Sequence, residues 1–141
     1  MQTAGITREV MGDGSVQLRS SRCTFTFRRV RPGTLLVTVV GVDDGQFGTA
    51  TLDEIRVHLL EHRPLELFID AEAAVAVMVE VSKEWTHFFA SNRARLKRVS
   101  VLPGTRAVEL TVAIAQHLSQ TGNLIQIYSD RALFEDRLAG R

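Results

Sequence analysis

The run of residues 35–40, Leu-Leu-Val-Thr-Val-Val, constrains the fold more than any other part of the chain. It is almost continuously apolar and rich in β-branched residues, which is typical of a strand covered on both faces. Such strands occupy the middle of a sheet that has helices packed against it. The run therefore predicts an α/β protein with residues 35–40 at the centre of its sheet.

The segment before this run alternates between apolar and polar residues. Residues 16–19 and 23–28 follow a period of two, as half-buried antiparallel strands do, and residues 20–22 suit a hairpin turn between them. Residues 1–14 are mostly small or polar and end in Gly-Asp-Gly, which predicts a flexible N-terminal tail. Residues 15–141 are then expected to form a single domain.

Strands and helices alternate after residue 41. Such alternation implies parallel pairing with right-handed crossovers, so the predicted order is β-β-β-α-β-α-β-α-β-α in a mixed sheet. The apolar periodicity predicts strands at 65–69, 98–102 and 124–128, and helices at 51–62, 71–91, 105–119 and from residue 130. The helix at 105–119 is expected to cover the sheet with the face formed by Ala107, Thr111, Ile114, Ala115 and Leu118.

Charge and cysteine content limit the function. The chain has 17 basic and 16 acidic residues, a formal net charge of +1, so no overall field attracts nucleic acid or an anionic membrane. The single cysteine, Cys23, excludes an intramolecular disulfide and suits a reducing compartment. No secretory leader and no apolar run of about 18 residues occurs. The protein is therefore expected to be soluble and cytoplasmic, without a transmembrane segment.

One motif raises the question of zinc chemistry. His58, Glu61 and His62 match the His-x-x-Glu-His spacing of a zinc peptidase family, in which two histidines bind the metal and the carboxylate activates water. Arg63-Pro64 follows at once and ends the helix. The motif then lies in a last helical turn, where histidines also interact favourably with the helix dipole. We predict no metal site, no cofactor and no catalytic residue.

Two other charged segments have simple structural explanations. The loop at 42–48 contains Asp43 and Asp44 with two glycines, but it lacks the ligand pattern of a calcium loop and the glycine pattern of a phosphate loop. The densest basic run, residues 93–98, has no interleaved aromatic residues for stacking bases. We predict a turn and a solvated basic face, with no nucleic-acid partner, and the role of the basic run stays open.

Two longer stretches carry a resemblance to a known family. Residues 65–74, Leu-Glu-Leu-Phe-Ile-Asp-Ala-Glu-Ala-Ala, and residues 95–115, RLKRVSVLPGTRAVELTVAIA, together with the order of elements, resemble the SpoIIAA-like fold. That group includes the STAS domains, the anti-sigma factor antagonists and the STAS/CRAL-TRIO-like bacterial proteins. The resemblance implies a non-enzymatic, regulatory protein-interaction module in the bacterial cytoplasm.

The resemblance also implies a partner surface and a missing switch. In the phosphorylated antagonists, a Ser or Thr at the helix start follows the strand that ends in Asp, whereas here Asp70 is followed by Ala71. The resemblance therefore implies a module that is not switched by phosphorylation at the usual site. Partner binding is expected at the ends of the parallel strands, through Asp43, Asp44, Asp70 and Glu72.

A second hypothesis starts from the small residues that open the helix predicted at 71–91. Small residues against a sheet can leave room for a ligand, and the fold is similar to that of CRAL-TRIO lipid carriers. The alternative function is thus a carrier or sensor of a small apolar or lipid ligand, held between this helix and the sheet by Met78, Trp85 and Phe88. The sequence leaves open whether the chain forms a homodimer.

Overall fold

A mixed sheet of seven strands organises the chain, and the strands lie in sequence order across it. The computed structural model describes residues 5–140. The elements are β1 Thr7–Val10, β2 Val16–Arg19, β3 Cys23–Arg31, β4 Thr34–Asp43, α1 Ala50–Glu61, β5 Leu65–Val77, α2 Val79–Ser91, β6 Leu96–Pro103, α3 Arg106–Ser119, β7 Ile125–Ile127 and α4 Arg131–Leu138. Strands β1 to β4 pair antiparallel and β4 to β7 pair parallel. The predicted α/β class, with an antiparallel start and a parallel finish, is confirmed.

Strand β4 joins the antiparallel and parallel halves of the sheet, because it pairs with β3 on one side and β5 on the other. Leu35, Val37 and Val39 point into the main core and are buried. On the other face, Leu36 packs against a smaller apolar cluster, whereas Val40 is 47% exposed. The predicted central position is right, but coverage of both faces is incomplete because α4 does not extend over Val40.

The N-terminal residues that the structure describes need a correction. Residues 1–4 lie outside the described part of the chain, but Thr7–Val10 forms strand β1 instead of continuing a flexible tail. This strand pairs with Val16–Arg19, and Arg8 forms an ion pair with Glu54 on α1. All four strand residues are exposed, so they lack the apolar alternation by which a half-buried strand is recognised in a sequence.

Three helices cover one face of the sheet and the fourth covers the other. Right-handed crossovers between strands in sequence order place α1, α2 and α3 on the same face, where Ile55, Phe88 and Val108 join the main core. Phe134 of α4 packs with Phe68 and Leu102 on the opposite face. Within residues 5–140, no helix is long and apolar enough to cross a membrane.

The second helix begins eight residues later than predicted. Strand β5 continues through residues 71–77, which still pair with β4, with Gly41 opposite Ala74 and Asp43 opposite Val77. The helix α2 starts at Val79. Alanine-rich segments favour a helix intrinsically, but here pairing with the neighbouring strand overrides that preference. Asp70 and Glu72 are therefore strand residues and not the first residues of a helix.

Candidate functional site

An apolar cavity of about 90 Å³ lies between the sheet and the helices α2 and α3, toward the carboxyl ends of β4, β5 and β6. The strands contribute Val39, Ile69, Ala71, Ala74 and Val101, and the helices contribute Trp85, Phe89, Val108, Val112 and Ala115. Engineered apolar cavities of about 150 Å³ stay dry and bind benzene. This cavity is smaller than those engineered cavities, so it can admit only a small apolar molecule.

Small side chains create this space. Ala71 and Ala74 on β5, and Ala115 on α3, are each buried and end in a single methyl group. The larger rings of Trp85 and Phe89 lie 5.8 Å apart between their centroids and form one wall. Because methyl groups fill less space than the neighbouring Val, Ile and Phe side chains, helices and strands leave a gap between them.

Asp43 is the one charged residue that lines the cavity within the described part of the chain. It is only 3% exposed, and its Oδ1 accepts a hydrogen bond from the Gly45 N–H at 3.1 Å. Burial raises the pKa of its carboxyl, and the neighbouring Asp44 and Glu84 carboxylates raise it further, whereas the Gly45 hydrogen bond lowers it. Almost none of the lining surface is polar, so a ligand could donate a hydrogen bond to Asp43 only if the carboxyl turned toward the cavity.

The structure brings only one of the three predicted ligand residues to the cavity. Trp85 lines it. Met78 precedes α2 and is about half exposed. Phe88 is fully buried in the core, with the Arg56 guanidinium 5.3 Å from its ring centroid. Met78 is displaced because α2 begins only at Val79, whereas Phe88 lies on the side of α2 that packs into the main core beside the cavity.

The four acidic residues predicted for partner binding do not form one surface. Asp43 is buried in the cavity wall, so its carboxylate is not available to a partner on the surface. Asp44 accepts a hydrogen bond from Arg22 at 2.8 Å. Asp70 and Glu72 alternate with the cavity residues along β5 and therefore point to the opposite face of the sheet.

Arg131 of α4 holds both of these strand carboxylates. Its Nη2 lies 2.9 and 2.8 Å from the two oxygens of Asp70, and its Nε lies 2.7 Å from Glu72 Oε1. Its Nη1 also donates to Glu135 at 2.9 Å. Hydrogen bonds to Asp70, then Glu135 and Glu72, hold the pKa of Arg131 above its ordinary value. These contacts fasten α4 to β5.

The His-x-x-Glu-His motif forms a hydrogen-bonded network with an arginine of the sheet. Arg29 Nη2 lies 2.9 Å from His58 Nδ1 and also pairs with Glu61. Burial, and then the Arg29 charge, lower the pKa of His58. His62 is the residue that ends α1. Across residues 5–140, no three His, Cys, Asp or Glu side chains converge in a way that could hold a metal ion.

The outer side of α3 carries an exposed apolar stripe, defined here as Leu110, Ile114 and Leu118. These side chains are 51%, 57% and 60% exposed. The residues of α3 that face the core are instead Val108, Ala115 and Ser119. The predicted sheet-facing side of this helix was therefore wrong at Ala107, Ile114 and Leu118, which are all exposed. Three further apolar residues, Val75, Met78 and Val79, are exposed at the junction of β5 and α2.

Comparison with known proteins finds similarity only at the level of structure. No protein-family model matches the sequence, and no curated protein matches it as a relative. An anti-sigma factor antagonist from Mycobacterium paratuberculosis superimposes with a TM-score of 0.61 at 16% identity, over 83% of this chain and 94% of that chain. A protein of the DUF3478 family with a SpoIIAA-like fold, from Shewanella loihica, gives 0.56 at 14% identity, over 83% and 94%.

The anti-sigma factor antagonist SpoIIAA, in its unphosphorylated form, gives a TM-score of 0.56 at 12% identity, over 83% of this chain and 97% of that chain. The chain has the SpoIIAA-like fold. The resemblance inferred from residues 65–74 and 95–115 is thus confirmed for the fold. Within this SpoIIAA-like fold, the cavity and the α3 stripe lie on the two sides of the same helix.

The late start of α2 also changes the position of the first hydroxyl group. The first turn of α2 contains Ser82, whose Oγ donates to the Val79 carbonyl at 2.7 Å and which lines the cavity. The helix predicted at 71–91 would have placed this serine in its middle. The prediction that phosphorylation at the usual site after Asp70 does not switch the module concerns Ala71 and stays a prediction.

Several cavity residues were not predicted from the sequence. Phe89, Val112 and Ala115 line the cavity from α2 and α3. Small residues were the signal that pointed to a cavity near 71–74, and Ala115 carries the same signal on α3. Nothing in the sequence indicated that Asp43 is buried, because a carboxylate beside glycines is typical of an exposed turn.

Proposed function

We propose that this chain is a regulatory protein-interaction module whose partner binds the α3 stripe. The exposure of Leu110, Ile114 and Leu118 carries the proposal. Residues at i, i+4 and i+8 lie along one side of a helix, so these three side chains form a continuous apolar line. Apolar patches of this kind, exposed on a folded domain, commonly mark protein-binding sites.

The chemistry of the stripe suggests the kind of partner. Three aliphatic side chains on one helix fit a second helix that presents its own apolar side, because such helices pack side by side. A second copy of this chain would offer the same surface, so a homodimer is one form that the complex can take. Two of the similar structures are anti-sigma factor antagonists by name, which supports a regulatory role.

The proposal includes no enzymatic step and no phosphorylation switch. A phosphate on Ser82 would add negative charge to a helix start that already carries Glu80 and Glu84 and lies beside Asp43. Asp44, Asp70 and Glu72 stay proposed partner contacts, but only for a surface separate from the α3 stripe, since Asp70 and Glu72 point to the opposite face of the sheet. Of these, Glu72 is the most exposed, with 51% of its side chain accessible.

The test compares two substitutions that each place a charge at an exposed isoleucine or leucine. Ile114→Glu places a charge within the stripe, and Leu133→Glu places one on α4, where Leu133 is 58% exposed. Each variant is used as bait for affinity capture, and its association state is measured by analytical ultracentrifugation. We expect the Ile114→Glu variant to capture no partner and to form no dimer. The Leu133→Glu variant should bind and associate like the wild type. Equal binding by both variants would contradict the proposal.

A second candidate function is the binding of a small apolar ligand in the cavity. The apolar lining favours such a ligand, and Asp43 favours one that carries a hydrogen-bond donor or a positive charge. Because the cavity lies under α3, ligand binding would act on the same helix that carries the stripe. A sensor in which a ligand tunes partner binding is therefore consistent with both proposals.

This candidate can be tested with two probes of similar shape. Toluene fills an apolar cavity, and benzylamine adds a cationic donor for Asp43. Trp85 is the only tryptophan of the chain and lines the cavity, so its fluorescence reports binding. Ala115→Leu should abolish the signal by filling the cavity, whereas the matched control Ala107→Leu on the exposed side of α3 should not. Equal responses of both variants would exclude the cavity as the site.

A further inference from the structure

A polar groove of about 550 Å³ lies at the amino ends of the parallel strands, opposite to the cavity. Four basic residues line it, namely Arg31, Lys97, Arg98 and Arg137. They come from the end of β3, the start of β6 and the end of α4. One carboxylate, Glu66, also lines it. We call this surface the amino-end groove.

The carboxylate does not balance the four cations. Glu66 pairs with Arg98 at 3.5 Å. Arg31 donates to the Leu138 carbonyl at 2.6 Å, which orients its guanidinium but leaves its charge uncompensated. Lys97 and Arg137 have no carboxylate partner among residues 5–140. Counted over residues 5–140, the groove lining therefore carries three more positive charges than negative ones, in a chain whose formal net charge is +1.

Several arginines outside the groove are held closely by carboxylates. Arginines on β1, β2, α1 and α4 each lie within 2.9 Å of a carboxylate oxygen, namely Arg8, Arg19, Arg56 and Arg131. In the groove, the guanidinium groups of Arg31 and Arg98 are instead oriented by single contacts that leave donors available. Guanidinium groups with available donors bind phosphate oxygens in pairs of parallel hydrogen bonds.

We propose that the amino-end groove binds a small anion whose phosphate groups carry at least two negative charges in total. Two oriented arginines would hold the phosphate oxygens, and Lys97 and Arg137 would supply further charge. No aromatic side chain lines the groove within the described residues, so it lacks the stacking platform that single-stranded nucleic acids use. The ligand class is a free pyrophosphate-like compound or a phosphorylated lipid headgroup, since both present the same groups.

The experiment uses the full chain and inorganic pyrophosphate, measured by isothermal titration calorimetry at low salt. The wild type should bind one pyrophosphate per chain, with an affinity that falls as salt increases. Arg137→Gln should weaken binding about tenfold, and Lys97→Gln/Arg137→Gln about a hundredfold, because each removes a charge-assisted hydrogen bond. Lys83→Gln, an exposed lysine on α2, should bind like the wild type.

A gain-of-binding variant separates the proposal from loss of folding. Glu66→Gln removes the one carboxylate of the groove, so pyrophosphate should bind more tightly than to the wild type. No binding by the wild type, or equal loss in Lys83→Gln, would overturn the proposal. Tighter binding of a single-stranded oligonucleotide than of pyrophosphate would also overturn it.

A second arm of the experiment distinguishes the two sources of the anion. Vesicles of phosphatidylcholine, with and without a phosphatidylinositol phosphate, are floated with the wild type and with Arg137→Gln. Flotation that needs both the phosphorylated lipid and Arg137 assigns the headgroup as ligand. Saturable pyrophosphate binding without flotation assigns a free phosphate compound.

Discussion

The two ends of the parallel strands offer opposite chemistry on one sheet. At the carboxyl ends, apolar side chains and the buried Asp43 surround a cavity of about 90 Å³. At the amino ends, four cations surround an open groove of about 550 Å³. Strand β5 contributes to both, with Glu66 in the groove and Ala71 and Ala74 in the cavity.

Because of this difference, substitutions at the two ends should change different properties of the protein. Substitutions at the cavity change packing in the main core, so their effects should appear in the free energy of unfolding. Substitutions in the groove change charges that water already solvates, so their effects should appear in salt-dependent anion binding and hardly in stability. The predictions below test this separation, starting with the largest expected effect.

Phe89→Ala should lower the free energy of unfolding by about 3–5 kcal/mol, because it removes a buried ring from the cavity wall. Urea unfolding followed by circular dichroism measures the change. Arg137→Ala in the amino-end groove is the matched control and should change the free energy by less than about 0.5 kcal/mol. Similar losses in both variants would contradict the separation between the two ends.

Arg131→Gln should lower the free energy of unfolding by about 1 kcal/mol, since Arg131 bridges Asp70, Glu72 and Glu135 from a partly exposed position. Arg98→Gln at the amino end should cost less, because Arg98 has a single ion pair at 3.5 Å. Both values come from urea unfolding at low and high salt. A larger loss of stability in Arg98→Gln than in Arg131→Gln would contradict this prediction.

Asp43→Asn should change stability in a pH-dependent way. Burial raises the pKa of the Asp43 carboxyl above 3.8, so the folded state binds this proton more tightly than the unfolded state. The Asp43 contribution to stability is therefore present below the unfolded-state pKa and is lost as the pH rises through the folded-state pKa. Asparagine keeps an oxygen for the Gly45 N–H and carries no charge.

The variant should consequently be more stable than the wild type at neutral pH, and the gain should disappear at a pH below the ordinary carboxyl pKa. Urea unfolding over a series of pH values measures both effects. A variant that is less stable at neutral pH would show that the Asp43 carboxylate is favourably bound and not merely buried.

The sequence contained most of the information on fold. The β-branched run at 35–40 located the central strand, and the alternation after it gave the parallel half of the sheet. Two elements were misjudged for physical reasons that a single sequence does not show. Residues 71–77 have helical propensity but pair with β4, and Thr7–Val10 is a strand with four exposed residues.

The candidate site was harder to predict because it depends on neighbours that are distant in sequence. Trp85 lies beside the cavity, whereas Met78 precedes the late start of α2 and Phe88 points into the main core. The clamp of Arg131 on Asp70 joins residues 61 positions apart. No local spacing indicates such a contact. The basic run at 93–98 did contain Lys97 and Arg98, but no spacing indicated that Arg31 and Arg137 would join them in one groove.

The central claim is that the two ends of the parallel strands bind chemically different ligands. The most direct test is to titrate the ¹⁵N-labelled protein with one probe for each end and to monitor the amide chemical shifts by NMR. Benzylamine should shift the amides of Ala71, Ala74 and Ala115 around the cavity. Pyrophosphate should shift those of Gly33, Lys97 and Gly140 around the amino-end groove. Two separate sets of shifts are the result that we predict, and a single shared set, or no shifts with either probe, would contradict the account.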